Sequence, residues 1–215
     1  MTWPNLNLER QLWDDGFDWI AGLDEVGRGA WAGPVVAAAV VLPRDNPLLS
    51  AKLAGVRDSK LLAPSVRERL LPRILHVSSG VGIGMSSARF VDRWGIVQGT
   101  RQAMAMAVRN LAVAPGFLLV DGLRLPNAKI PQLALNKGDA QVLSIASASI
   151  VAKVFRDRLM VDLDQYRPGY GFSAHKGYGT PEHRSALNRL GPCPVHRFSF
   201  APLRRFADPG GAALK

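Results

Sequence analysis

Cysteine and long apolar runs are the scarcest features of this sequence. Its 215 residues include one cysteine, Cys193, so no disulfide can form within the chain. A lone thiol is typical of a reducing compartment, and we expect a cytoplasmic protein. The longest uncharged apolar run, Ala30–Pro43, is too short to cross a bilayer and contains Gly33 and Pro34. We therefore predict no membrane association.

Targeting signals, internal repeats and low-complexity segments are also missing. The opening residues, MTWPNLNLERQLWDD, are polar and acidic, unlike a secretory signal peptide. What the sequence does contain is 47% apolar residues, enough for a real hydrophobic core. The length favours one compact domain with a small appendage.

Negative charge is in deficit. Lys and Arg number 27 against 17 Asp and Glu, which gives a net charge of +10. Between Lys153 and Arg205 there are ten basic and four acidic residues, so much of the excess lies in the C-terminal part. Such a charge favours a polyanionic partner, nucleic acid before an anionic membrane surface. A basic surface with no binding role remains the alternative.

The apolar pattern predicts an α/β protein. Five strands are expected, and helices are expected over 64–75, with Ser65 as a candidate N-cap, and over 89–113, 141–164 and 181–190. The strand segments are FDWIAGLDE, PVVAAAVVL, SSGVGIGMSS, FLLVDG and IPQLALNKGD, the last ending at Asp139. Consecutive early strands favour antiparallel pairing, and later helical crossovers favour parallel pairing. The prediction is a mixed sheet flanked by helices.

Acidic residues occupy the predicted strand ends. Asp24, Asp121 and Asp139 each end a strand close to a glycine, and Glu25 adds a fourth acid. Ligands of open α/β sheets bind where strands end, and acids gathered there repel one another unless a cation neutralises them. Hard carboxylate oxygens suit Mg²⁺ or Mn²⁺ better than Zn²⁺. These residues are therefore candidate metal ligands.

Adjacent residues of a regular strand point to opposite faces of the sheet. Asp24 and Glu25 can therefore share one site only if the strand bends, which Gly27 and Gly29 permit. The simpler alternatives are an Asp-Gly turn at residue 121, a helix N-cap at residue 139 and a solvated strand end at residue 25.

A dinucleotide-binding pattern overlaps the same region. Gly27, Gly29 and Ala32 fit the spacing G-x-G-x-x-[GA], but that motif requires a helix directly afterwards. Here Gly33, Pro34 and a β-branched run come next, which favours a strand. The spacing of Gly80, Gly82 and Gly84 instead indicates close packing of a strand.

Taken together, these motifs resemble those of the bacterial type 2 ribonuclease H family, ribonuclease HII. The resemblance runs in family order from residue 22 to about residue 203. The matching stretches are GLDEVGRGAWAGPVVAAAVVLP, RDSKLL, LLVDG, NKGDAQVLSIASASIVAKVFRDRLM, YGFSAHKGYGTPEH and HRFSFAPL. Two departures are Leu61, where the family usually has lysine, and Gly95, where it usually has asparagine.

The resemblance implies an RNase H-like fold with a five-stranded mixed sheet flanked by helices. It implies a catalytic core over 1–165 and a basic helical extension over 166–215 packed on that core, in a monomeric protein. The type 3 relatives carry a long N-terminal domain, and with Asp24 so near the start of this sequence we expect no such domain here.

The resemblance also implies an activity. The family cleaves the RNA strand of RNA/DNA hybrids and incises 5′ of single ribonucleotides in duplex DNA, which serves ribonucleotide removal. The expected chemistry is hydrolysis with two Mg²⁺ or Mn²⁺ ions, giving 3′-hydroxyl and 5′-phosphate ends. RNA/DNA hybrids and ribonucleotide-containing duplex DNA are the implied partners.

Site residues carry over position by position. The resemblance implies that the catalytic and metal-binding set is Asp24, Glu25, Asp121 and Asp139. It also implies that Gly27, Arg28, Gly29 and Tyr178 read the ribose 2′-hydroxyl. Lys60 in the DSK stretch is a candidate phosphate or carboxylate partner. Candidates for phosphate contacts along the duplex are Lys176, Arg184, Arg197, Arg204 and Arg205.

Two other functions remain open at this point. One is another two-metal nuclease of the RNase H-like fold, such as a junction resolvase. The other is a non-catalytic binder of RNA/DNA hybrids, whose binding would persist in EDTA while any cleavage would vanish.

Overall fold

The computed structural model describes residues 3–206, so residues 207–215 of the predicted extension lie outside the described residues. The chain forms two compact units. The first unit comprises residues 3–26, Val36–Met85 and Arg101–Phe155. The second comprises Gly27–Val35, Ser86–Thr100 and residues 156–206. No helix within residues 3–206 has both the length and the apolar character needed to traverse a bilayer.

Five strands form one mixed sheet, as predicted. They are β1 (Ile20–Val26), β2 (Val35–Val41), β3 (Gly80–Ser86), β4 (Phe117–Asp121) and β5 (Gln132–Leu135). Their order across the sheet is β3-β2-β1-β4-β5. Strand β1 is antiparallel to β2 and parallel to β4, and β4 is parallel to β5. The β1–β4 pairing places the ends of two acid-bearing strands side by side.

Eight α-helices are described. They are α1 (Asn7–Asp14), α2 (Leu49–Lys52), α3 (Pro64–Val77), α4 (Ala88–Arg109), α5 (Leu143–Tyr166), α6 (Phe172–His175), α7 (Pro181–Leu190) and α8 (Ala201–Arg204). Two short 3-10 turns are also described, Ser59–Leu61, which begins after Asp58, and Gly138–Ala140, which contains Asp139.

Two details of the helix predictions were wrong. The N-cap of α3 is Ala63 rather than Ser65, because Pro64 takes the first helical position, where its fixed φ suits a helix and its missing N–H is not needed. Helix α4 ends at Arg109 and is interrupted at Gly95, whose φ of 81° and ψ of 162° are not helical. The family departure at Gly95 therefore coincides with a break in the helix.

The core of the first unit is built on β2 and α5. All seven residues of β2 are buried, and Ile145, Ile150 and Val151 of α5 are buried in the same apolar cluster. Strand β3 meets α4 through glycines. A Cβ on Gly82 or Gly84 would lie 2.1 Å from a backbone carbonyl oxygen of α4, so these positions require glycine, as the sequence indicated.

A buried acid on α1 caps α5. The Oε1 atom of Glu9 accepts a hydrogen bond of 2.9 Å from the backbone N–H of Ser144, in the first turn of α5. Burial raises the pKa of Glu9, and the hydrogen bond from Ser144 opposes that rise only in part. Sequence reasoning did not identify this contact, which joins residues 135 positions apart.

The core of the second unit is more aromatic. Phe172 is fully buried and stacks on Tyr170 with a centroid distance of 5.2 Å. Met160, Leu187 and Leu203 pack in the same cluster. The end of α5 and the helices α6 to α8 therefore share one hydrophobic core.

Candidate active site

Three aspartates meet at the end of the sheet. Asp24 lies on β1, Asp121 is the last residue of β4, and Asp139 lies in the 3-10 turn Gly138–Ala140. One carboxylate oxygen from each lies within 4.8 Å of the others. Parallel pairing of β1 with β4 brings the first two together, because parallel strands end at the same edge. The structure thus gathers three of the four acids singled out from the sequence.

The position of Asp139 differs from the prediction in its local structure. Strand β5 ends at Leu135, which pairs with Asp121, the last residue of β4. Beyond that point the chain has no strand partner, and it turns into the 3-10 segment that carries Asp139. The N–H of Gly138 donates a hydrogen bond of 2.7 Å to Oδ1 of Asp121, which ties this turn to the end of β4.

Glu25 lies beside the cluster without belonging to it. The ladder between β1 and β2 continues without a bulge, with Asp24 opposite Ala38 and Glu25 opposite Ala37. Regular pairing means that the strand does not bend between the two acids. The side chains of Asp24 and Glu25 therefore point to opposite faces of the sheet. The positive φ of Gly27, 87°, changes the chain direction only after both acids.

Burial and mutual repulsion dominate the electrostatics of Asp24. Its side chain is 2% exposed. Burial raises its pKa well above the ordinary value, and the charges of Glu25, Asp121 and Asp139 raise that pKa further, while a hydrogen bond with Ser149 lowers it. The buried Oδ2 atom of Asp24 has no hydrogen-bond partner among residues 3–206. The ionised form of Asp24 therefore needs a counter-charge.

Asp139 is perturbed in the same direction. Burial, followed by the charges of Asp58 and Asp121, raises the pKa of Asp139 to about 6, although Lys60 opposes the rise. A hydrogen bond with the Asp58 side chain, which requires one of the two carboxyls to be protonated, also raises the pKa of Asp139. Sequence reasoning missed Asp58, and the signal that could have found it was its place in the DSK stretch beside Lys60.

Lys60 lies next to these acids. Its Nζ atom is 3.9 Å from Oδ1 of Asp58, and its side chain is 72% exposed. Partial burial lowers the pKa of Lys60, but Asp58, Asp24, Asp139 and Asp121 outweigh this and hold the pKa above its ordinary value. Asp58 also accepts a hydrogen bond of 2.9 Å from the backbone N–H of Lys60. Lys60 is therefore an exposed cation at the margin of the acid cluster.

The three aspartates fit a hard divalent cation. They supply carboxylate oxygens that converge within 4.8 Å, and these are the ligand atoms that Mg²⁺ and Mn²⁺ prefer. A bound cation would give Oδ2 of Asp24 a partner in place of the missing hydrogen bond. It would also lower the raised pKa of Asp24 and of Asp139.

The segment that follows the Gly-Arg-Gly is joined within the second unit to the turn that carries Tyr178. The N–H groups of Trp31 and Ala32 both donate to the carbonyl oxygen of Gly177, at 2.8 and 3.2 Å. A Cβ on Gly29 would meet no atom within 4 Å, so the backbone there is open. The structure thus fastens the segment that comes after β1 to the turn that carries Tyr178.

The dinucleotide-binding alternative is excluded by the secondary structure on the C-terminal side of Gly27 and Gly29. The chain enters strand β2 at Val35 instead of starting a helix. No helix N-terminus therefore lies at this place to receive a pyrophosphate.

One predicted phosphate contact was wrong. Arg197 is fully buried, and it donates to the carbonyl oxygens of Gly33 and Arg28 at 2.8–3.1 Å. A buried side chain whose donors are occupied cannot contact a duplex. Lys176 is half-buried and donates to the Ser173 carbonyl. The remaining candidates are exposed: Arg184, Arg204 and Arg205.

Comparison with known proteins gives one consistent family. The family model described as Ribonuclease HII matches residues 21–203. Ribonuclease HII of Herpetosiphon aurantiacus is 48% identical over 94% of this chain and 98% of its own length. Ribonuclease HII of Geobacillus thermodenitrificans is 51% identical over 94% of this chain and 76% of its own.

A solved structure agrees with the sequence relatives. The ribonuclease H2 of Pyrococcus horikoshii OT3 superimposes with a TM-score of 0.73 at 25% identity, covering 87% of this chain and 96% of the other. The five-stranded mixed sheet is therefore the RNase H-like fold expected from the resemblance. With a family model and close relatives that span nearly its whole length, the chain belongs to the ribonuclease HII family and is a ribonuclease H, a nuclease that hydrolyses phosphodiesters.

Proposed function

We propose that this ribonuclease is an endonuclease that cleaves the RNA strand of RNA/DNA hybrids and incises 5′ of single ribonucleotides embedded in duplex DNA. The observation that carries the proposal is the buried cluster of Asp24, Asp121 and Asp139 in a chain of the ribonuclease HII family. Its cellular role would be ribonucleotide removal from DNA, by a cytoplasmic monomer.

The acids would hold two Mg²⁺ or Mn²⁺ ions. Asp24, Asp121 and Asp139 are the ligands that the geometry supports. Glu25, the fourth acid that the family resemblance implies, would join them only through a local bend of β1 when a cation binds. Bound divalent cations supply an activated water and charge stabilisation at the departing 3′-oxygen, which yields 3′-hydroxyl and 5′-phosphate ends.

The chain's contribution to this chemistry is to keep the acids in place before substrate arrives. Oδ1 of Asp24 accepts from the N–H of Glu25 at 2.7 Å, and Oδ1 of Asp121 accepts from the N–H of Gly138 at the same distance. Each bond uses one oxygen and fixes the orientation of the carboxylate. Lys60, exposed and beside the acids, can bind a non-bridging phosphate oxygen of the substrate.

Selection for ribose is assigned to Gly27, Arg28, Gly29 and Tyr178. The 2′-hydroxyl both donates and accepts hydrogen bonds, and it is the group that distinguishes RNA from DNA at one position. Open backbone at Gly29 supports this role, because without a Cβ the peptide groups can approach a sugar closely. Tyr178 would place its ring against the adjoining sugar.

The test is a cleavage assay on three matched duplexes. One carries a single ribonucleotide, one is a continuous RNA/DNA hybrid, and one is all DNA. We expect metal-dependent cutting of the first two in Mg²⁺ or Mn²⁺, with the cut 5′ of the single ribonucleotide, and no cutting in EDTA. Binding without cleavage in either metal would favour the non-catalytic binder, and cutting of the all-DNA duplex would favour another nuclease of this fold.

A further inference from the structure

Two arginines are buried in the second unit without a carboxylate hydrogen-bond partner among residues 3–206. Arg156, on α5, and Arg197 are each 0% exposed. Every hydrogen bond that their guanidinium groups make with the described residues goes to a backbone carbonyl oxygen. Burying a charged group is costly, so an arginine is an expensive means of filling a core.

Arg156 connects two separate segments. Its Nε donates to the carbonyl of Pro34 at 2.9 Å, and its Nη2 donates to that of Ala32 at 3.1 Å. Its Nη1 donates to the carbonyl of Lys176 at 2.9 Å. One side chain thus fastens the end of the segment 27–34 to the turn 176–178.

The same guanidinium also contacts residues proposed to read the ribose. A Cβ on Gly27 would lie 2.2 Å from Nε of Arg156, so the arginine packs directly on that glycine. Its Cζ atom lies 5.5 Å from the ring centroid of Tyr178, a cation–π distance. Arg156 therefore touches both recognition elements from the side opposite the solvent.

Arg197 binds the first segment a second time. Its Nε and Nη2 both donate to the carbonyl of Gly33, at 3.1 and 2.9 Å, and its Nη1 donates to the carbonyl of Arg28 at 2.8 Å. Between them the two arginines take up four of the carbonyl groups of residues 27–34. The path of this segment is therefore determined by two planar, fork-shaped donors.

We propose that Arg156 and Arg197 are positioning residues that hold segments 27–34 and 176–178 in the shape required to recognise a ribonucleotide. The inference rests on the proposed function, because it names what supports the ribose-reading residues. Lysine would keep the charge but not the rigid set of donors that reaches several carbonyls at once. Shape, rather than charge alone, is what the arginines supply.

Charge is retained in this arrangement. Burial, and then the charge of Arg156, lowers the pKa of Arg197 to about 10. Burial likewise lowers the pKa of Arg156, while Tyr178 and Asp157 raise it. With the pKa of Arg197 at about 10, that side chain remains a cation at neutral pH, so all of its N–H donors are kept.

The experiment compares Arg156→Lys and Arg197→Lys with the control Arg167→Lys, which changes an exposed arginine of the same unit. Three quantities are measured: kcat/KM on the single-ribonucleotide duplex, Kd for the matching all-DNA duplex in EDTA, and the melting temperature. For both buried positions we expect kcat/KM to fall by about 10-fold or more, while Kd for DNA changes by less than about threefold. The control should match wild type.

The outcomes separate the two proposals. A wild-type enzyme that fails to cut at the ribonucleotide would refute the proposed function itself. A cutting wild type with unchanged kcat/KM in both lysine variants would overturn the positioning role. Equal losses of catalysis and DNA binding, or failure of both variants to fold, would also overturn the positioning role. The arginines would then stabilise the fold in general and have no specific part in ribonucleotide recognition. If only Arg156→Lys fails to fold, Arg197→Lys decides.

Discussion

The acid cluster of the first unit and the arginine pair of the second bury charges of opposite sign. The first unit buries the carboxylates of Asp24 and Asp139 next to Asp121, and neighbouring acids raise the pKa of both Asp24 and Asp139. The second buries the guanidinium groups of Arg156 and Arg197, and backbone carbonyls satisfy them. The acids repel one another, and Oδ2 of Asp24 has no hydrogen-bond partner among the described residues. The two arginines find carbonyl partners within their own unit.

This difference distinguishes a ligand site from a scaffold. Buried acids with unrelieved repulsion are stable in the ionised form only when a cation joins them. Buried cations whose guanidinium nitrogens each donate to a backbone carbonyl need no ligand and instead specify a backbone shape. The acids of the first unit are thus suited to chemistry, and the arginines of the second to recognition.

Histidines add a second self-contained network to the second unit. Nδ1 of His196 accepts from the N–H of Cys193 at 2.9 Å, which leaves Nε2 of the neutral imidazole as its donor. Nε2 of His196 then donates to Nε2 of His183 at 3.1 Å, and Nδ1 of His183 donates to the carbonyl of Tyr178 at 3.0 Å. This chain of bonds requires both imidazoles to be neutral.

The largest effect is expected from removing an acid of the first unit. Asp24→Asn should lower the cleavage rate by about 100-fold or more, because loss of one carboxylate ligand removes several kcal/mol of charge stabilisation. The melting temperature in EDTA should stay level or rise, since a buried, repelled charge is lost. Single-turnover cleavage and thermal unfolding measure the two quantities.

The matched control for this prediction is Asp15→Asn, an exposed acid of the same unit, which should leave both quantities unchanged. Near wild-type cleavage by Asp24→Asn in saturating Mg²⁺ would show that the cluster does not carry the chemistry.

The second expected effect is acid destabilisation through the histidines. Burial lowers the pKa of His183 and of His196 to about 4 from the usual 6.5. Between these values the unfolded chain binds more protons, so stability falls as the pH drops from about 6.5 towards 4, by roughly 3 kcal/mol per histidine at most. His183 also stacks on His175, at 4.3 Å, so added charge there would be repelled.

Denaturant unfolding between pH 4 and 7 checks this, with His183→Gln as the comparison. That variant should be less stable than wild type at pH 7 but should lose less stability on acidification. An equal slope in the two proteins would mean that His183 does not titrate on unfolding.

A smaller, selective effect is expected at Tyr178. Its ring lies over the guanidinium of Arg156, and the residue is half-buried. Tyr178→Ala should reduce incision at a single ribonucleotide by about 10-fold more than cleavage of a continuous hybrid, because the hybrid offers many alternative 2′-hydroxyls. Initial rates on the two substrates give the ratio. Equal losses on both would remove Tyr178 from junction recognition.

The smallest effect concerns the exposed basic residues. Arg204 donates to the carbonyl of Ser199 and Arg205 to Oδ1 of Asn188, so both are ordered at the surface of the second unit. Changing both to alanine should weaken binding of all duplexes alike and reduce the slope of log K against log salt by about 1 per lost phosphate contact.

Its control is the pair Arg69→Ala and Arg109→Ala, which removes the same charge from exposed positions of the first unit. If the control pair flattens the salt dependence equally, net charge explains the effect and the second unit has no special part in duplex binding.

The sheet and most of the acid cluster could be predicted from the sequence. Strand β2 is a β-branched run bounded by Gly33 and Pro43, and such local signals survive folding because they depend on near neighbours. The sequence placed Asp24 and Asp121 correctly, because the apolar run of each strand showed where the strand ends. The order of elements further implied that both strands end at the same edge of the sheet.

The end of β5, the role of Asp58 and the burial of Arg197 became visible only in the folded protein. Strand β5 ends at Leu135, four residues before Asp139, because β4 offers it no further partner. Asp58 joins Asp139 across 81 positions of the sequence. Arg197 looked like a surface cation and is instead buried on the carbonyls of Gly33 and Arg28. No local pattern encodes such partners, since burial and hydrogen bonding between distant segments are settled only when the chain has packed.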